Sequence, residues 1–391
     1  MKGVTKGNIK KYALNEFLTE YKELNTDNKY RPVAVGRYGI RKRESIYSKE
    51  LAKDYSKNKL IHKDTLTVGM GSKQIDIGIL IEDETFAVSP AYHTYEIQGI
   101  RCKYLEYCLQ SKNIEMFSLY AKRGSRQGKS IDLKRWLTYK IPVYSEKDQI
   151  VIEENLNKIN YVIELRRKQI DLLDELVKAR FVEMFGDPMI NPYEWQVINI
   201  SEVLRAKASN GFFSRRDDYC DDGNVKVLGV ANVVNRMYSQ VVDLPRTNAN
   251  EKDIEKFEVK YGDMLFCRSS LVAEGIGKAS IIPEGVQTNI LFECHVIRLP
   301  LDLDKCVPEF LQTLSTTKFF RNQIISKSKT ATMTTIGQDG ILKTNIILPP
   351  LEKQKEYYNF VKQIDKSRSR IQKSLEASQE LFDSLMQEYF G

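Results

Sequence analysis

Residues 121–130, Ala-Lys-Arg-Gly-Ser-Arg-Gln-Gly-Lys-Ser, set four cations and two serines around two glycines. Lys122, Arg123, Arg126 and Lys129 suit phosphates, and Arg, Gln and Ser also reach base edges, so the segment (Ser125 included) is a candidate DNA contact. A second run, Ile-Ser-Lys-Ser-Lys-Thr-Ala-Thr-Met-Thr-Thr over 325–335, offers Lys327, Lys329 and Thr330. A basic loop by itself is ordinarily a solvated surface. Two such loops at matching places in two halves of one chain favour a nucleic-acid partner. Arg37, Arg41, Lys42 and Arg43 form another basic cluster, and Lys73 follows it. Arg268, Ser269, Ser270 and the pair Arg215 and Arg216 are weaker candidates, because Asp217 and Asp218 offset that pair locally.

Motifs for catalysis are missing. The three histidines, His62, His93 and His295, stand far from cysteines or carboxylates at ligand spacing, so no metal site is expected. Gly275-Ile-Gly-Lys278 would need glycine at Val272 and a hydroxyl at Ala279 to be a phosphate loop. Asn191-Pro-Tyr193 lacks the second proline of an amino-methyltransferase motif and reads as a turn. No Ser-His-Asp or Cys-His arrangement stands out. The expectation is a chain with no catalytic residue, no metal and no cofactor of its own.

Charge supports a phosphate-rich partner. Residues 1–140 carry 27 Lys and Arg against 16 Asp and Glu, whereas 187–346 carry 19 against 20, so the excess of +8 originates in the first third. Six scattered cysteines without a Cys-x-x-Cys pair, no signal-like start and no apolar run of membrane length predict a cytoplasmic protein with reduced thiols and no membrane partner.

The elements that must carry these loops are written twice. Residues 149–186 align without a gap on 354–391, with identities that include Gln149/Gln354, Ile159/Ile364, Phe185/Phe390 and Gly186/Gly391. Upstream, residues 63–72 resemble 262–270, and Tyr104-Leu105 matches Phe310-Leu311 at the start of a short amphipathic helix. Neither 143–185 nor 351–390 contains proline or glycine, and both are rich in good helix formers, which predicts two long helices, rods of roughly 55 Å. Their helix-pairing positions are Leu156, Ile159, Ile163, Ile170, Leu173 and Val177 in the first, and Val361, Ile364, Ile371, Leu375, Phe382 and Leu385 in the second. If the halves share a pseudo-twofold, the pairing is antiparallel; the competing expectation folds each helix onto its own domain. Arg166 and Arg368 interrupt the seam and either fix register or face a partner.

The expected fold class is α+β: two mixed α/β domains separated by two long helices that form an antiparallel coiled coil. The boundaries read as a first domain over 1–140, a central helix over 141–186, a second domain over 187–346 and a C-terminal helix over 347–391. Strand-like runs such as 31–35, 225–230, 264–267 and 293–299 predict mainly antiparallel sheets.

This layout resembles the specificity subunits of type I restriction-modification enzymes. Leu348-Pro-Pro-Leu-Glu-Lys-Gln354 is similar to the family's recurring helix-opening signature, and 174–188 to the end of its central region. The first helix departs, since Ile141-Pro-Val lacks the second proline. The resemblance implies a non-catalytic chain whose two domains each read half of a bipartite site in double-stranded DNA. It also implies helices that space the readers and dock two methyltransferase subunits, with restriction-translocase subunits joining them. S-adenosylmethionine, ATP and Mg2+ are then needed only by those partners. Three other readings stay open at this stage: a stand-alone DNA-binding regulator or solitary methyltransferase-targeting subunit, a coiled-coil scaffold without a DNA role, and an enzyme with an unrecognised site.

Overall fold

The computed structural model describes residues 9–36, 39–46, 54–123 and 129–391. Two compact units emerge, one from residues 1–168 with 372–391, the other from 169–371. Each is built from one globular region and parts of both long helices.

In the first unit a four-stranded antiparallel sheet runs in the order Leu18–Tyr21, His93–Ile97, Thr65–Met70, Ile75–Leu80. Leu66, Val68, Ile75 and Ile77 supply its apolar side, which packs with Tyr104, Leu105 and Leu109 of the helix Cys102–Ser111. In the second unit the matching sheet runs Ser209–Asn210, Val296–Pro300, Asp263–Cys267, Ala279–Ile281, also antiparallel, with Phe310, Leu311 and Leu314 of the helix Pro308–Thr316 in its core. Among the strands of the described residues one pairing is parallel, Val225–Leu228 with Ile290–Phe292, and the isolated bridges Pro32–Ala87, Phe212–Glu293 and Tyr238–Ile281 are parallel too. The run at 31–35 forms the strand Val33–Gly36, and Pro32 just ahead of it makes an isolated parallel bridge to Ala87.

In each unit an early strand is tied to the strand just ahead of a long helix: Lys10–Ala13 to Lys140–Val143, and Gln196–Asn199 to Asn345–Leu348. The two helices follow, Glu146–Phe185 and Leu351–Phe390, 40 residues each. Ser145 caps the first, its Oγ accepting from the Asp148 N–H at 3.2 Å. Gly186 ends it at φ +75°, where a Cβ would fall 2.4 Å from Pro192, so only glycine fits.

The helices run antiparallel within each unit. In the first, Arg166 donates to the Ser374 carbonyl at 2.7 Å and to the Ser378 hydroxyl. In the second, Arg368 meets Asp174, and Arg180 meets Glu356 at 3.3 Å. Arg166 and Arg368 therefore act within the pair. Leu156, Ile159 and Ile163 are buried with Leu385 and Phe390, and Leu375 and Phe382 pack against that cluster. Val177, Val361 and Ile364 are buried in the other unit, with Leu173 packed beside them. Ile170 and Ile371 are half-buried. Both clusters also contain sheet and short-helix residues, so each seam is shared between helix pairing and packing onto the globular region. Among the described residues no helix is long and apolar enough to cross a membrane.

Candidate nucleic-acid interface

The repeated glutamine positions everything above it. Gln149 donates to the Tyr144 carbonyl at 2.9 Å and accepts from the Arg101 N–H at 3.2 Å, just ahead of the helix Cys102–Ser111. Gln354 donates to the Pro349 carbonyl at 2.8 Å and accepts from the Val307 N–H at 2.9 Å, just ahead of the helix Pro308–Thr316. Both side chains are buried. Each thus locks a long helix to the short helix of its unit with hydrogen bonds shielded from water. The repeated phenylalanine completes the joint: Phe390 lies edge-on to Tyr104, with ring centroids 5.4 Å apart, and Phe185 lies edge-on to Phe310 at 4.8 Å.

On these joints each unit carries a small hairpin. In the first, Ala121–Arg123 pairs with Lys129–Ile131, and the latter strand lies against Thr65–Met70. Lys122 is exposed but held by Asp132 at 2.6 Å; that contact keeps the Asp132 carboxyl below its ordinary range. Arg37, Ser125 and Arg126 lie outside the described residues, as do the side chains of Arg123, Lys129 and Arg216. Lys73 is exposed at the turn between Thr65–Met70 and Ile75–Leu80. Arg41 and Lys42 are exposed on Gly39–Lys42, with Lys42 3.5 Å from Glu84. Arg43 is half-buried and lines an open cleft of about 680 Å³ together with Tyr55, Met70, Tyr92, His93 and Ser130.

The second unit brings several separately predicted residues onto one three-stranded sheet, in the order Ser269–Ser270, Thr334–Thr335, Lys329–Thr330. Arg268 sits at its root, where its N–H donates to the His295 carbonyl at 2.9 Å and its carbonyl accepts from the Ile336 N–H at 3.1 Å. Ser269 and His295 Nδ1 are 3.3 Å apart, and the Thr330 and Thr334 hydroxyls 3.0 Å. Lys329 and Thr330 are exposed. Lys327 instead turns inward, its Nζ donating to the Lys343 carbonyl at 2.6 Å, and burial lowers its pKa. Arg215 lies elsewhere, exposed on the loop whose N–H is held by Asp218 at 2.7 Å.

Sequence reasoning missed two residues that brace this sheet from outside its strands. His295 holds Ser269 and Arg268, and Arg321 braces the following loop by donating to the Glu274 and Ile276 carbonyls at 3.1 and 2.6 Å. Neither belongs to a run of like residues, so only the fold reveals them. Among the described residues no group of three or more His, Cys, Asp or Glu could hold a metal ion.

Residues 192–379 match the family model described as the type I restriction modification DNA specificity domain. The chain is similar to the type I restriction enzyme MjaVIII specificity subunit of Methanocaldococcus jannaschii, 24% identical over 249 residues, 60% of this chain and 57% of that one. It is also similar to the type I restriction enzyme EcoKI specificity subunit of Escherichia coli K12, 26% identical over 138 residues, 34% of this chain and 29% of that one. The match thus spans little more than half the length of the first relative and less of the second. The S subunit of a type I restriction-modification system from M. genitalium has the same fold, with a TM-score of 0.55 at 13% identity over 100% of this chain and 98% of that chain. A chain from a structure on complex assembly and conformational transition of the type I system also shares it, with a TM-score of 0.54 at 14% identity over 100% and 99% of the two chains.

Proposed function

We propose that this chain is a specificity subunit of a type I restriction-modification system, a reading its family-model match and its similar relatives support, and that it reads a bipartite site in double-stranded DNA with one reader in each unit. In this reading it directs adenine methylation and restriction by partner subunits and carries none of that chemistry itself. The observation that carries the reading is the recurrence of one arrangement: a small hairpin bearing cations and hydroxyls, set beside Thr65–Met70 in the first unit and paired in the second with Ser269–Ser270, which follows the central strand Asp263–Cys267. Cations on such a hairpin neutralise phosphates, and Ser, Thr and Arg supply directional bonds to base edges.

Two methyltransferase subunits would supply S-adenosylmethionine chemistry, and translocase-nuclease subunits would use ATP and Mg2+. Exposed apolar residues on the long helices offer places for partner helices, among them Tyr161 and Leu165 in the first unit and Leu172 and Leu176 in the second. The test is a selection from duplexes with a randomised central segment, using the full chain with and without its cognate methyltransferase subunit. Enrichment of two short motifs separated by an unspecified gap supports the reading. Enrichment of a single uninterrupted motif, or none, overturns it.

A further inference from the structure

The three-stranded sheet of the second unit ends in an apolar tip. Ser269 pairs with Thr335 and Ser270 with Thr334, so the next register step sets Leu271 opposite Met333. Leu271 is 82% exposed, Val272 57% and Met333 39%. Single exposed apolar residues are ordinary and need no explanation. Three at one tip are different, because the rest of the sheet bears only hydroxyls and the Lys329 cation, with Arg268 at its root.

The tip is also held firmly from below. The Ser270 hydroxyl accepts from the Val272 N–H at 3.3 Å, and the Gly275 N–H donates to the Val272 carbonyl at 3.1 Å. A Cβ on Gly275 would fall 2.2 Å from that same hydroxyl, so the loop closes this tightly only with glycine. Arg321 grips the carbonyls of Glu274 and Ile276, and the Gly277 N–H donates to Cys267 at 2.9 Å. A loop tied at its base and apolar at its end loses little freedom when it meets a partner.

We infer that Leu271, supported by Met333, is a specificity-determining residue of the second reader that makes apolar contact with a thymine methyl in the major groove. The inference rests on the proposed DNA reading. Charge selects the occupant: Arg268 and Lys329 stand at the base of the same sheet, level with Ser269 and Thr335, while Glu274, the nearby carboxylate, lies in the braced part of the loop. Among the groups that base pairs present in the major groove, the thymine C5-methyl is the apolar one. Hydroxyls beside the tip would satisfy the polar edges on either side of it.

The experiment uses the full chain with its cognate methyltransferase subunit and the duplex that it enriches from the randomised library. Each thymine of that duplex is replaced in turn by deoxyuridine, which removes the C5-methyl alone. The expected result is one position, within a single half-site, at which uracil weakens wild-type binding about 5-fold. Leu271→Ala should weaken binding to the thymine duplex by a similar factor, with the salt dependence unchanged, and should show no further loss at that uracil. Met333→Ala should give a smaller loss at the same position. If every uracil is silent, or if the Leu271→Ala and uracil losses simply add, the inference falls while the DNA reading stands. If no duplex is enriched at all, both fall.

Discussion

The two units use one joint and fill it with different chemistry. Gln149 and Gln354 make the same pair of hydrogen bonds, and Phe390 and Phe185 meet the same face of a short helix. Around that joint the polar partners diverge. In the first unit Arg101 grips Glu153 of the long helix at 2.8 Å, and Lys103 reaches Glu106 at 2.6 Å near the surface. In the second unit the place of Lys103 is taken by Glu309, which is buried and accepts from the Tyr238 hydroxyl at 3.3 Å while its other oxygen has no hydrogen bond. The backbone frame therefore tolerates opposite charges at one position, because each is solved locally, by solvent and a carboxylate in one unit and by burial in the other. A duplicated scaffold can hold two readers of different composition for the same reason.

The largest expected effect tests the shared phenylalanine. Phe390→Ala should destabilise the first unit, and Phe185→Ala the second, each by about 3–5 kcal/mol, the usual cost of emptying a fully buried aromatic site. Hydrogen-exchange mapping should localise each loss to its own unit. Equal loss in both units from either variant would break the comparison.

Glu309 gives the next largest effect, and it belongs to the second unit alone. Burial pushes its carboxyl up to about 7 from an ordinary 4.5, with Asp365 and Glu284 adding to the rise and Tyr238 opposing it. The folded protein then holds this proton more tightly than the unfolded chain. Its contribution to stability is fully present below about 4.5 and is lost as pH climbs toward about 7. Glu309→Gln should therefore raise the unfolding free energy read from urea melts at pH 8, by on the order of 2–3 kcal/mol, and leave it nearly unchanged at pH 4. A variant equally affected at both pH values would show that the carboxyl does not titrate in this window.

Gln149→Leu and Gln354→Leu should each cost about 1–3 kcal/mol, because each leaves a buried N–H and a buried carbonyl unsatisfied. Similar losses in denaturant melts would sharpen the claim of one joint used twice. Much smaller effects are expected at the readers. Lys73→Ala and Lys329→Ala should leave melting unchanged and flatten the salt dependence of DNA binding by about one phosphate contact each. An unchanged slope would place that lysine outside the interface.

Much of this architecture was legible in the residues. The duplication appeared as recurring Gln, Phe and Gly at a constant spacing, and the long helices appeared as proline-free and glycine-free stretches with apolar rows. The antiparallel pairing was legible only as a consequence of presumed symmetry. Packing of the same rows onto a globular domain stood only as the competing expectation, since one apolar stripe cannot say what covers it. The candidate site was legible in patches: Arg268, Ser269, Ser270, Lys329 and Thr330 were each visible, but nothing in their spacing put residues 60 positions apart on one sheet.

Composition and local periodicity follow from the order of residues, because helix propensity, turn chemistry and net charge act between near neighbours in the chain. The sequence by itself thus determined two halves, two long helices and basic hydroxyl-bearing loops. Tertiary structure alone decided which cation faces outward and which turns in. Lys327 and Lys329 differ by two positions, yet one donates to the Lys343 carbonyl and the other stays exposed. That choice depends on strand register and on where carbonyls from distant segments come to rest, and these are settled only when the core closes.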